Sequence, residues 1–143
     1  MKKTLSVIGL VGLGLALGFW LGRGSDAASA AAKSPVYEMR TYYTNEGKLP
    51  DLQARFRNHT MKLFEKHGMK NVGYWVPQDA PASANTLIYI ISHESREAAK
   101  KSWAAFVADP EWKKVREASE KDGKIVEKVD RVFMDAVDFS KLK

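Results

Sequence analysis

From Val36 onward the spacing of apolar and polar residues changes period several times, and each change marks an element. Residues 36–43, VYEMRTYY, alternate and are rich in β-branched and aromatic side chains, which predicts a strand. One face carries Tyr37, Met39, Thr41 and Tyr43; the other carries Val36, Glu38, Arg40 and Tyr42. Asn45-Glu46-Gly47 turns the chain. Leu49, Leu52, Phe56, Thr60, Leu63, Phe64 and His67 then recur at three- and four-residue intervals, which predicts one helix over 48–67 with a single buried stripe. Pro50 suits its first turn and Gly68 its C-terminal cap. Residues 69–76 form a second predicted strand, with Met69, Asn71, Gly73 and Trp75 on one face and Val72, Tyr74 and Val76 on the other. After the loop PQDAPASAN, residues 86–93 form a third strand whose LIYII run suggests burial on both faces. Ser95 caps a second helix with Ala99, Trp103, Phe106 and Val107 as its stripe. Asp109-Pro110 breaks that helix and starts another, in which Trp112, Val115 and Ala118 or Ser119 face inward and which Gly123 ends. The last strand lies within 125–139, with Val129, Arg131 and Phe133 opposite Asp130, Val132 and Met134.

The order β-α-β-β-α-α-β is that of an α+β, ferredoxin-like split βαβ sandwich. Four antiparallel strands with the helices on one side leave the other sheet face uncovered. That face carries Tyr, Trp and Met side chains, and apolar patches of this kind usually meet a partner. A homodimer with the two sheets packed face to face is the expected solution.

A different pattern precedes the domain. Lys2 and Lys3 are followed by residues 5–22, 18 positions without a charge, and then by the small, polar segment RGSDAASAAAKS. A signal peptide's apolar region is usually ~7–15 residues and a spanning helix needs roughly 17–25, so this apolar leader helix fits either a cleaved signal peptide or an uncleaved membrane anchor. Ala28-Ser29-Ala30 offers a cleavage site. The expected organisation is a signal peptide or anchor over 1–30, a linker over 31–35 and one domain over 36–139. With the lysines retained inside, the domain is expected to be exported, either periplasmic or extracellular, or held at the membrane by its N-terminus through residues 5–22.

Charge and composition narrow the function classes. The 143-residue chain has a formal net charge of +6, which becomes +4 without Lys2, Lys3, Arg23 and Asp26 of the leader. Acidic and basic residues alternate finely, as in PEWKKVREASEKDGK, which is an ordinary charged surface and not a nucleic-acid stripe. Cysteine is absent, which excludes disulfides, thiolate metal sites and a cysteine nucleophile.

YEMRTY at 37–42, ARFRNHTMKLFEKHGMKNVGYW at 54–75, NTLIYI at 85–90, SREAAKKSWAAFVADPEWKKV at 95–115 and VEKVDRVFM at 126–134 resemble the NIPSNAP family. The resemblance covers nearly all of 36–139. It implies the dimeric α+β barrel fold, a group that includes cofactor-independent monooxygenases of the antibiotic-biosynthesis type.

Candidate chemistry is sparse. Of the three histidines, His59 and His67 lie eight residues apart on one predicted helix, about 12 Å along its axis, too far to share a metal. His93 ends a strand. No HExxH, G-x-S-x-G or phosphate-cradling glycine loop accompanies them, so no metal and no cofactor are expected. His67 reads as a helix C-terminal residue that favours the dipole. His59 is the preferred general base of any catalytic reading, and Arg40 or Asn71 the preferred partner of an oxyanion. Arg40 could equally pair with Glu38. Tyr37, Tyr42, Trp75 and Tyr89, together with Asn71 and His93, are the expected lining of a pocket for a small organic ligand. The plainer alternative is that these aromatics are core. The leading expectation is a non-catalytic binding or scaffolding domain; the alternative is a cofactor-independent small-molecule enzyme or ligand carrier.

Overall fold

The computed structural model describes residues 34–142, so the leader and its expected processing lie outside the described residues. β1 (Val36–Thr44) leads into α1 (Leu49–Arg55), a π-helical turn (Phe56–Thr60) and α2 (Met61–Lys66), which together form one rod. β2 (Lys70–Trp75), β3 (Thr86–His93), α3 (Arg96–Ala108), α4 (Pro110–Ser119) and β4 (Val126–Asp135) complete the chain. The strands form one antiparallel sheet in the order β2-β3-β1-β4. This is the split βαβ arrangement that the element order implied.

Local chemistry sets the boundaries. Ser95 accepts a hydrogen bond from the Ala98 backbone N–H, and Asp109 accepts one from that of Glu111, so each side chain satisfies an otherwise orphaned donor at a helix start. Gly68 ends the first rod at φ +77°, a conformation that L side chains resist.

The alternation in β1 and β3 places Glu38, Arg40 and Tyr42 beside Ile91, Tyr89 and Leu87 on one face. The helices cover that face. Leu52, Phe56, Phe64 and Phe106 pack there against Leu87, Tyr89 and Ile91. The opposite face carries Met39, Ile88 and Ile90, which are half-buried, and Val132 and Trp75, which are about half exposed at 50% and 51%. The segment after β4 folds over one end of this face, where Val137 and Leu142 approach Tyr37, Ile90 and Met134.

Three details depart from the periodicity. The single α-helix expected over 48–67 contains the π turn: the Met61 N–H reaches back five residues to the Phe56 carbonyl, and the buried Thr60 hydroxyl donates to the Arg55 carbonyl at 3.2 Å. In β2 a bulge between Asn71 and Gly73 shifts the register, so Asn71 lies on the face of Tyr74 and not on that of Trp75. Val107, expected in the stripe of α3, is exposed, because Ala99, Trp103 and Phe106 already span the contact with the sheet.

Candidate functional site

Glu38 and Arg40 stand two residues apart in β1 and therefore project to the same, helix-covered side. Glu38 is completely buried. Its Oε2 accepts hydrogen bonds from His93 Nε2 of β3 at 2.9 Å and from Trp103 Nε1 of α3 at 2.7 Å. Its Oε1 accepts one from Arg40 Nη1 at 3.2 Å, and the Arg40 guanidinium lies 4.0 Å from the Trp103 ring centre. Burial alone pushes the Glu38 carboxyl up, but the hydrogen bonds from His93 and Trp103 and the Arg40 charge together outweigh it and hold the group below its ordinary value. One carboxylate thus joins two strands and a helix.

Much of the remaining space between sheet and helices is packed with rings. Tyr42, Phe56, Phe64, Tyr74, Tyr89, Trp103, Phe106 and Trp112 form a continuous set of mostly edge-to-face and tilted contacts with centroids 4.5–5.9 Å apart. Burial holds the phenols of Tyr89 and Tyr74 above their ordinary value. Tyr74 donates to the Asn71 side-chain oxygen, while the Asn71 amide donates to the Met61 carbonyl and to Glu65.

At the α1–α4 end, Arg55 is buried although charged. Its Nη1 donates to Ser119 Oγ at 3.3 Å and to Glu120 Oε1 at 3.1 Å, and its guanidinium sits 5.4 Å from the Trp112 ring centre. Two clefts meet at this residue. One, of about 560 Å³, lies between α1 and α4 and is lined in part by His59, Asn58, Lys48 and Lys114. The other, of about 230 Å³, runs inward between the helices and β1 and β4.

These positions sort the expected site residues. Arg40 and His93 come together, but on Glu38 rather than in a wet cavity. Tyr42 and Tyr89 share the aromatic interior. Asn71 is engaged by its own neighbours, and its side chain carries no exposed oxyanion partner. Tyr37 and Trp75 belong to the opposite sheet face. His59 is exposed on the π turn, away from the Arg40 cluster. His67 bonds Asp109 Oδ2 at 2.7 Å, and Lys66 reaches the same oxygen at 2.9 Å, which ties the end of α2 to the α3–α4 junction. Lys66, then His67 and the Glu111 N–H, hold the Asp109 carboxyl far below its ordinary value.

Sequence reasoning missed Glu38 as the shared acceptor and did not place Arg55 as a buried charge. Both left a signal. Glu38 alternates with Arg40 and Tyr42, and Arg55 lies three residues after Leu52 and adjoins Phe56 on the buried stripe. Among the described residues, no three His, Asp or Glu side chains gather at metal-binding distance, and no helix is long and apolar enough to cross a membrane.

No curated protein matches the chain. Among solved structures, a NIPSNAP family protein of unknown function from Agrobacterium tumefaciens is 23% identical, with a TM-score of 0.67, over 78% of this chain and 96% of that one. A monooxygenase of Streptomyces coelicolor in complex with nanaomycin D is 16% identical, with a TM-score of 0.53, over 73% of this chain and 89% of that one. A cofactor-independent oxygenase of Streptomyces nogalater is 11% identical, with a TM-score of 0.51, over 76% of this chain and 98% of that one. At these identities the likeness is one of fold. The NIPSNAP family model matches residues 37–141, and the chain belongs to that family.

Proposed function

We propose that this NIPSNAP domain is a non-catalytic binding domain that pairs with a second copy through its open sheet face. The observation that carries the reading is the contrast between the two sides of the sheet. On the helix side, packed rings cover the sheet and the buried carboxylate serves as an acceptor for three donors. On the other side, Met39, Ile88, Ile90, Val132 and Trp75 form an apolar surface that no helix covers. Burying such a surface against its own copy gains roughly 25 cal/mol for each Å² of apolar area removed from water. The enzymatic alternative draws on the likeness in fold to the two Streptomyces oxygenases. It needs a base beside a substrate pocket; His59 lines the broad cleft between α1 and α4 but is exposed there and stands apart from the buried Glu38–Arg40 cluster, which gives the enzymatic reading less support.

The N-terminal pattern supports an extracytoplasmic location for the domain, either released after Ala30 or tethered through residues 5–22. Intact mass measurement of the protein from its native host separates the two, because cleavage removes the first 30 residues.

Native mass spectrometry and light scattering on the full chain test the pairing. A dimer at micromolar concentration is expected, with Val132→Asp driving it to folded monomer. A wild-type monomer under those conditions overturns the sheet-face reading. Substrate-dependent dioxygen uptake that disappears in His59→Ala would overturn the non-catalytic one.

A further inference from the structure

The cleft between the helices and β1 and β4 has a chemistry that the paired-domain reading leaves unused. Its inner wall is aromatic, made by the rings of Tyr42, Phe56, Phe106 and Trp112. Its polar lining holds three cations, Arg55, Arg116 and Lys124, against one carboxylate, Glu120. Glu120 is engaged by Arg55, and among the described residues neither Arg116 nor Lys124 has an acidic partner within ion-pair distance. Arg55 Nε is buried and has no hydrogen-bond partner among the described residues, although its Nη1 has two. A buried donor left without an acceptor is unfavourable, and an arriving oxyanion can supply the missing acceptor.

We propose that this cleft binds a small aromatic carboxylate, its ring on the Phe56–Phe106–Trp112 wall and its carboxylate toward Arg55, Arg116 and Lys124. Size, charge and shape each constrain the class. An apolar cavity of about 150 Å³ holds a benzene ring. A cleft of about 230 Å³ therefore takes one ring with a short acidic substituent, and is too small for a long acyl chain. The excess of two positive charges selects an anion over a neutral or cationic compound. Flat rings stacked or edge-on against Trp112 and Phe106, whose own centroids are 4.5 Å apart, extend contacts already present. A bare inorganic anion would leave the aromatic wall wet. The inference deepens the reading of the domain as a binding module, and it does not depend on the sheet-face dimer.

The test is a titration of the isotope-labelled full chain with benzoate, benzyl alcohol and acetate, following the Trp112 indole N–H by NMR, with the signal identified through Trp112→Phe. Saturable movement of that signal by benzoate is expected, with benzyl alcohol and acetate each at least roughly tenfold weaker. Arg116→Gln and Lys124→Gln lie at the solvent edge and should keep the fold; each should weaken benzoate by roughly three- to tenfold. Val129→Trp, which fills the opening, should abolish the response. Four results overturn the proposal: no saturation by about 20 mM benzoate, benzyl alcohol binding as well as benzoate, acetate binding as well as benzoate, or affinities untouched by the three substitutions. If the benzoate response is absent while the dimer persists, the ligand class fails and the pairing stands.

Discussion

Glu38→Gln tests the buried carboxylate directly. The substitution keeps size and shape but removes the negative charge, and it turns one of the two acceptor oxygens into a donor facing donors. Arg40, Trp103 and His93 all approach this group within 2.7–3.2 Å. Gln can keep one acceptor, so at most part of the network survives, and the Arg40 guanidinium loses its counter-charge. Removing one partner of a buried ion pair typically costs about 3–5 kcal/mol, and a hydrogen bond to a charged group contributes ~1.5–3. A loss of about 3–4 kcal/mol is therefore expected, a large share of the roughly 5–15 kcal/mol that holds a domain of this size together. For about 100 residues this lowers Tm by more than ~12 °C. Urea unfolding at neutral pH, followed by far-UV circular dichroism and by tryptophan fluorescence, measures it. The pH dependence adds a signature. The Glu38 carboxyl lies below its ordinary value of 4.5 when folded, so the folded chain holds fewer protons there than the unfolded chain. The stabilisation is complete above that ordinary value and declines as pH falls through the lower, folded one. Wild type should lose this component on acidification, and Glu38→Gln should lack it. A cost under about 1 kcal/mol, the range of an exposed ion pair, would refute the reasoning.

Three further outcomes follow from single contacts. Asp109→Ala removes the cap on α4 and the anchor of His67 and Lys66; thermal melts should show a Tm lower by on the order of 5 °C, with the wild-type contribution complete above the ordinary 3.8 and lost progressively as pH falls from there toward the far lower folded value. Thr60→Val leaves the Arg55 carbonyl without its side-chain donor inside the π turn, and chemical denaturation should report a loss of about 1–2 kcal/mol. Gly73→Ala would place a Cβ 2.5 Å from the Trp75 ring. Because that indole is half exposed it can swing aside, so stability should change by less than ~1 kcal/mol, while near-UV circular dichroism and dimer affinity both change.

The legible part of the fold was whatever depends on short-range pattern. Period-two alternation gave the faces of β1, β3 and β4, and Ser95 and Asp109-Pro110 marked helix starts that the structure places at the same residues. Asn71 was assigned to the wrong face because a bulge adds a residue to one strand, and its one mark, Gly73 inside the strand pattern, is compatible with a bulge without requiring one. The π turn escaped for a related reason: Phe56 and Thr60 remain on the inner side whether the bonds span four residues or five. The candidate site was less legible still. Arg40 pairing with Glu38 was one of two readings open from β1 alone, but the choice rests on Trp103 and His93, 65 and 55 residues distant in sequence. Arg55 was hidden because a charged residue at a stripe position reads as solvent-facing until Glu120 and Trp112 are brought to it.

The bulge in β2 also bears on how copies of this chain meet. β2 and β4 are the two borders of the sheet, where unpaired backbone groups could recruit a strand from another molecule. On one border the extra residue at Asn71–Gly73 breaks the regular ladder, next to the exposed Lys70. On the other, Glu127, Lys128, Asp130 and Arg131 are exposed and would set charge against charge in an incoming strand. Sideways growth into fibrils is thus discouraged along both margins, and of the ways two copies could meet, the proposed broadside pairing is the one these borders leave unopposed.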